Sequence, residues 1–224
     1  MPKGNRGGRR TVTPTPTGPR NYTAYTDADA KQVRDDTGDR YTPSVLDAIK
    51  QYISKADMGN GYSMSQEFNH KLNNKLPLNA NEKFMDKYLA KGMHDLGKDT
   101  ILYRGAHDDI LKTLGIKNYQ NMTEQQLQNA LIGVQYKTKS YTSASYDRNK
   151  NPFYTGPNSG GREIEMVIKA PAKTQMVFGA KSQAETIINK GTEYKITGVK
   201  YTGRQATPRN VGLRPVLQLE VEIV

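Results

Sequence analysis

The chain has no cysteine, no tryptophan and only three histidines. Without cysteine there is no disulfide, no thiolate metal site and no cysteine nucleophile, so the fold is indifferent to the redox state of its compartment. His70, His94 and His107 are scattered and lack a ligand spacing such as H-E-x-x-H, so no metal site is expected. No run of about eighteen apolar residues occurs, and the first twenty residues contain no apolar h-region. Neither a membrane span nor a Sec-type signal peptide is therefore expected, and the chain reads as soluble and without membrane contact. A glycine-rich phosphate loop of the G-x-G-x-x-G or P-loop kind is also missing, as is any internal repeat.

What is present is positive charge. Against 22 Asp and Glu stand 33 Lys and Arg, a formal net charge of +11. Such a balance attracts acidic partners at long range without naming one: a diphosphate, an acidic protein surface and nucleic acid all qualify. Hydrophobic residues make up 35% of the chain and mean hydropathy is −0.80, so apolar residues have to be concentrated in a few amphipathic elements. A length of 224 residues suits one sizeable domain plus a tail.

Residues 1–40 read as a disordered basic arm: Gly- and Arg-rich to Arg10, Thr-Pro alternation from Thr11 to Pro16, then a polar stretch of mixed charge. Lys3, Arg6, Arg9, Arg10 and Arg20 have no nearby acid, and the arm either touches nucleic acid or is a solvated tail. The ordered domain is placed at 41–224. Thr42 and Pro43 form a helix start, followed by Val45, Leu46, Ile49, Tyr52 and Ile53 on one face. A second helix is expected from Met64 to Leu76 and a third from Asn81, fading at Gly92 or Gly97. Thr123 and Gln126 make a capping box for one more.

Strands are expected at Thr100–Tyr103, Tyr136–Thr142, Glu163–Ile168, Thr174–Phe178, Glu185–Ile188, Glu193–Tyr201 and Val216–Val224. Helices first and strands after indicate an α+β fold with antiparallel sheets, not a doubly wound parallel one.

Three short segments carry the chemistry, each tied to an expected strand. Arg104 and Gly105 follow Leu102-Tyr103; Ser143-Ala144-Ser145 follows Tyr141-Thr142; Gln183-Ala184-Glu185 precedes Thr186-Ile187-Ile188. Taken singly they are a strand-end arginine, a polar strand end and an acid on a strand edge. In an extended chain Gln183 and Glu185 share one face, because the side-chain period is two.

In order and spacing the trio resembles the arginine-serine-glutamate signature of mono-ADP-ribosyltransferases, a family that includes many bacterial exotoxins. The resemblance covers roughly residues 42–224. It implies a fold of N-terminal helices followed by two packed, roughly perpendicular antiparallel sheets that clasp NAD, the substrate, with no metal. It also implies roles: Arg104 on the diphosphate, Gly105 close to the nicotinamide amide, Ser143 orienting Glu185 and helping to hold the ribose, Glu185 stabilising the cation, and Gln183 aimed at the acceptor. Phe153 or Tyr154 would cover nicotinamide, Phe153 being equally suited to anchor a core, and Asn69 would reach the adenosine phosphates or stand as an exposed helical Asn. Ala144 departs from the family's usual central Thr but leaves the functional serine position intact.

Cleavage of the nicotinamide–ribose bond passes through an oxocarbenium-like state that a buried carboxylate stabilises, and nicotinamide leaves as a neutral base. One essential carboxylate therefore suffices. In the family, Gln two residues before the glutamate accompanies acceptors other than arginine, as in the Rho-modifying clostridial exoenzymes. The reading is an NAD-dependent mono-ADP-ribosyltransferase with NAD glycohydrolase side activity, a monomeric phage or bacterial effector acting on a protein in a host or target cell cytoplasm. The alternatives are a basic nucleic-acid-binding or virion-associated protein, using the arm and the Lys200, Arg204, Arg209 and Arg214 loop, or a transferase acting on nucleic acid.

Overall fold

The computed structural model describes residues 20–54, 63–151, 161–207 and 212–224. Four helices lead: α1 (Asp27–Asp36), α2 (Pro43–Tyr52), α3 (Met64–Asn74) and α4 (Ala80–Gly92). Their starts follow from side-chain caps. Thr26, Ser63 and Asn79 each form a reciprocal capping box with the residue three positions on, and Thr42 caps α2 with Pro43 in its first turn. α3 stops at Lys75, which takes a left-handed conformation with φ 55°. α4 closes against α2 at Gly92, where a Cβ would stand 2.6 Å from Val45 Cγ1, so only glycine lets the two helices approach this closely.

The remaining elements are β1 (His94–Asp95), β2 (Thr100–Ala106), the single turn α5 (Asp109–Thr113), α6 (Glu124–Leu131), β3 (Gln135–Lys137), β4 (Thr142–Ser145), β5 (Ile164–Ala170), β6 (Gln175–Phe178), β7 (Glu185–Ile188), β8 (Glu193–Ala206) and β9 (Arg214–Ile223). The nine strands run β1-β6-β7-β4-β2-β5-β9-β8-β3 in one hydrogen-bonded ladder. Two halves are nonetheless distinct within it. β2 pairs with β5 along its whole length, from Thr100 opposite Ala170 to Ala106 opposite Ile164, but meets β4 only at Tyr103 opposite Ser145. The expected two sheets, α+β behind N-terminal helices, are thus joined at one register position. Pairing is antiparallel except for β5 beside β9.

Alternation divides the core between the two faces. Along β6 and β7, Val177 and Ile187 point with Tyr141 into a cluster with Val45, Ile49, Tyr52, Phe68, Met85 and Leu89 of α2–α4. Met176 and Ile188 face the other way and join Leu102, Met166, Ile168, Leu217, Leu219 and Val221. Buried His94 ties the layers together: its Nε2 lies 2.7 Å from the Tyr41 hydroxyl, which accepts the Phe178 N–H at 3.0 Å, and its Nδ1 lies 2.9 Å from the Asp95 carbonyl. Burial holds its pKa below the usual histidine value.

Two expectations change. The run expected as one strand over Tyr136–Thr142 is cut by the turn at 138–141, putting β3 on the far edge against β8 and β4 in the centre against β7. The boundary at residue 41 also moves. Residues 20–40, expected in the arm, contain α1, and Tyr25 and Ala30 are buried in the main core while Thr23 bridges Thr100. The signal was hidden because this helix buries one alanine among charged residues. Lys3, Arg6, Arg9 and Arg10 lie outside the described residues.

Removal of residues 1–40 takes Tyr25 and Ala30 from the core. The expected outcome is a melting temperature lower by about 10 °C or more, from the cost of truncating a buried aromatic. Thermal unfolding of this truncation beside one ending at residue 19, expected to melt within a few degrees of the full chain, checks it.

Candidate active site

The strand order places the three motifs side by side. β4 lies between β7 and β2, so Ser143 comes from the middle strand, Glu185 from the start of one neighbour and Arg104 from the other. All three line a cleft of about 1040 Å³ with Asn69, Gly105 and Gln183, large enough for a dinucleotide. Phe153 and Tyr154 lie outside the described residues.

Arg104 spans the opening between β2 and β4, its Nη1 donating to the Ser143 carbonyl at 2.7 Å. That bond leaves guanidinium donors to spare, five being available on the group. Arg162, just before β5, lines the same cleft. Among the described residues neither arginine pairs with a carboxylate within 4.0 Å. Burial and the neighbouring Arg104 charge both push the Arg162 pKa below its ordinary value. Two half-buried cations facing one cleft form a place for a dianion such as a diphosphate.

Glu185 is fixed by its own loop. Its Oε2 accepts the Ala180 N–H at 3.0 Å, while its backbone N–H donates to Ala180 O at 3.1 Å and its carbonyl accepts from Gly179 N–H at 2.9 Å. A Cβ on Gly179 would lie 2.5 Å from that Oε2, so the glycine makes the carboxylate's seat. Gln183 and Glu185 both reach the cleft, but not through an extended chain. Lys181–Gln183 form a 3-10 turn and Ala184 has φ 47°, so the two-residue period expected across Gln183-Ala184-Glu185 does not operate.

The Ser143 hydroxyl stands 3.5 Å from the phenol oxygen of Tyr52, and Asn69 Nδ2 donates to that same oxygen at 2.9 Å. Tyr52 is buried, and burial raises its pKa, so it stays a neutral hub between helix α3 and strand β4. Asn69 Oδ1 is buried without a partner among the described residues and remains an acceptor for a ligand. At the far rim, Glu163 Oε2 lies 3.2 Å from His107 Nδ1, and Glu163 accepts the Asp108 N–H at 2.9 Å. Burial acts to raise the Glu163 pKa, but these hydrogen bonds outweigh it and hold it low.

Sequence reasoning did not find Tyr52, Arg162 or the Gly179–Ala180 seat. For Arg162 a signal existed, an arginine between Gly160-Gly161 and an apolar strand. Tyr52 read as one more apolar position of a helix face.

A family model for the ADP-ribosyltransferase exoenzyme matches residues 23–212. The chain belongs to this family. Among solved structures it resembles the enzymatic component C2-I of the Clostridium botulinum C2 toxin, with TM-score 0.59 and 14% identity over 89% of this chain and 48% of that one. The chain thus spans about half the length of that protein. It also resembles C3stau2 from S. aureus, solved with NAD, with TM-score 0.59 and 19% identity over 91% of this chain and 98% of that one. The Clostridium limosum C3 exoenzyme gives TM-score 0.58 and 17% identity over the same shares. Curated protein sequences contain no match to it.

Gly179→Ala is expected to leave the fold intact, since φ at this position suits alanine and the crowded atoms all belong to one side chain, that of Glu185. It should displace the carboxylate and, under the function proposed below, cut nicotinamide release from NAD about a hundredfold, the scale of a 1 Å misplacement. Circular dichroism beside a nicotinamide assay on wild type and variant tests both halves.

Proposed function

We propose that this chain is an NAD-dependent mono-ADP-ribosyltransferase that cleaves the nicotinamide–ribose bond and passes ADP-ribose to a protein side chain other than arginine. The observation that carries the reading is the convergence of Arg104, Ser143 and Glu185, from three adjacent strands, on one cleft that also holds Arg162 and Asn69.

NAD is the substrate, and the donor set suits it. Arg104 and Arg162 supply charge for the diphosphate, Asn69 Oδ1 supplies an acceptor, and Gly105 presents backbone with no side chain. Phe153 or Tyr154 is the proposed cover for nicotinamide. As the glycosidic bond stretches, positive charge develops on the ribose and the Glu185 carboxylate stabilises it. The Ala180 N–H and Ser143 orient that carboxylate. Nicotinamide departs neutral, so no general acid is required. Gln183, one turn away on the same loop, presents an amide to the incoming nucleophile; water in its place gives NAD hydrolysis. The acceptor is proposed to be a protein of a target cell, in line with the toxin names of the structural relatives.

Glu185→Gln should fold and bind NAD yet lose transfer by orders of magnitude, because a neutral amide does not stabilise the cation; transfer above a tenth of wild type would remove Glu185 from the role. Gln183→Ala should keep nicotinamide release within several-fold while transfer collapses, since Gln183 acts on the acceptor and not on the bond cleaved. Agmatine, a small arginine surrogate, should remain unmodified by wild type. A wild-type protein that releases no nicotinamide from NAD would favour the non-enzymatic basic binding protein instead.

A further inference from the structure

Ser145, the last residue of the serine motif, is buried and stands opposite Glu185 in the β4–β7 ladder. Its hydroxyl does not serve the carboxylate's seat, which is the Ala180 N–H. Instead Ser145 Oγ lies 2.7 Å from the Gln183 carbonyl and 2.8 Å from the Asp147 carbonyl, and accepts the Asp147 N–H at 3.2 Å. One proton is therefore shared between two carbonyl oxygens, and one of them belongs to the residue proposed to meet the acceptor.

The backbone at this point needs holding. Ala184, directly after Gln183, sits at φ 47° and ψ 40°, a conformation that an L residue with a Cβ adopts only where its surroundings over-determine it. Four hydrogen bonds do so: Gln183 N–H to Ala180 O at 3.1 Å, Ala184 N–H to Lys181 O at 3.1 Å, Tyr146 N–H to Ala184 O at 3.0 Å, and Ser145 Oγ to Gln183 O. Of these only the Ser145 bond is made by a side chain. Glu185 is secured separately, by ladder pairing on β4 and by the Gly179–Ala180 backbone.

We propose that Ser145 is a positioning residue for acceptor transfer: its hydroxyl clamps the Gln183 backbone to the catalytic strand, coupling NAD cleavage to delivery of ADP-ribose. The proposal rests on the transferase reading above and adds no chemical step. It separates the two serines of the motif by task, Ser143 serving the NAD side and Ser145 the acceptor side. Without the clamp the Gln183 amide swings, the nucleophile is held less often, and water captures more of the cation.

Ser145→Thr and Ser145→Val are nearly isosteric and differ by the hydroxyl alone, so their comparison removes packing from the question. Each is assayed for nicotinamide release without acceptor and for label incorporated from adenylate-labelled NAD into the proteins of an animal-cell extract. The transfer-to-release ratio of the Val variant is expected to fall about tenfold or more below that of the Thr variant, the scale of a lost buried hydrogen bond, with release equal within about threefold. Amide hydrogen exchange at residues 183–185 should be faster in the Val variant by a similar factor. Equal ratios in the two variants, or a parallel loss of release and transfer, would overturn the proposal. If wild type releases no nicotinamide, or labels nothing in the extract, the exchange comparison alone decides: equal protection overturns the clamp, and faster exchange in Val upholds it while the transferase reading stands or falls on its own.

Discussion

The cleft depends on how β2 leaves β4. The two strands share one register position, and just past it the Arg104 guanidinium reaches across to the Ser143 carbonyl. A charge-assisted hydrogen bond of this kind contributes about 1.5–3 kcal/mol, enough to hold two diverging strands at a defined separation. The same contact does two other things. It orients an arginine into the opening, and it braces the strand on which the serine motif sits. An apolar residue at position 104 would leave the Ser143 carbonyl unpaired at the mouth of the site.

Around that brace the site is built from backbone more than from side-chain pairs. Glu185 takes its place from the Ala180 amide, and Gly179 is the residue that gives the carboxylate room. The loop from 179 to 184 folds back on Glu185 through two backbone hydrogen bonds, Gly179 N–H to Glu185 O and Glu185 N–H to Ala180 O, so the Gln183 turn and the Glu185 carboxylate belong to one short loop. Behind it, Phe178 is anchored by the Tyr41 hydroxyl and by the Arg34 guanidinium, 4.2 Å above its ring. Arg34 belongs to α1, which makes that helix part of the domain that backs the cleft and not of a tail.

Charge is used unevenly. Most basic side chains with a partner pair with surface acids, at separations worth little in water. Arg104 and Arg162 differ: they are half-buried, near each other and unpaired with acid among the described residues, an arrangement that costs stability unless an anion is recruited. The net positive charge that marked the sequence is thus less informative than the placement of these two residues.

Much of the fold was legible because its signals are local. The capping residues Thr42 and Thr123, the strand at Glu185–Ile188, and the alternation through Leu217, Leu219, Val221 and Ile223 each follow from neighbours within a few positions. The three motifs were legible as types at intervals, for the same reason. What only tertiary structure decided concerns residues that answer to distant parts of the chain. α1 belongs to the domain because Tyr25 and Arg34 meet Phe178, more than a hundred residues on. Tyr52 is a hub because α2 crosses Ser143, and Arg162 is part of the site because β5 pairs along all of β2. Gln183 and Glu185 reach the same cleft through a left-handed Ala184, where the sequence alone indicated an extended strand. Sequence determines the chemistry available at each position; which positions share one cleft is settled by strand order and by hydrogen bonds between residues far apart in the chain, and no local pattern encodes those.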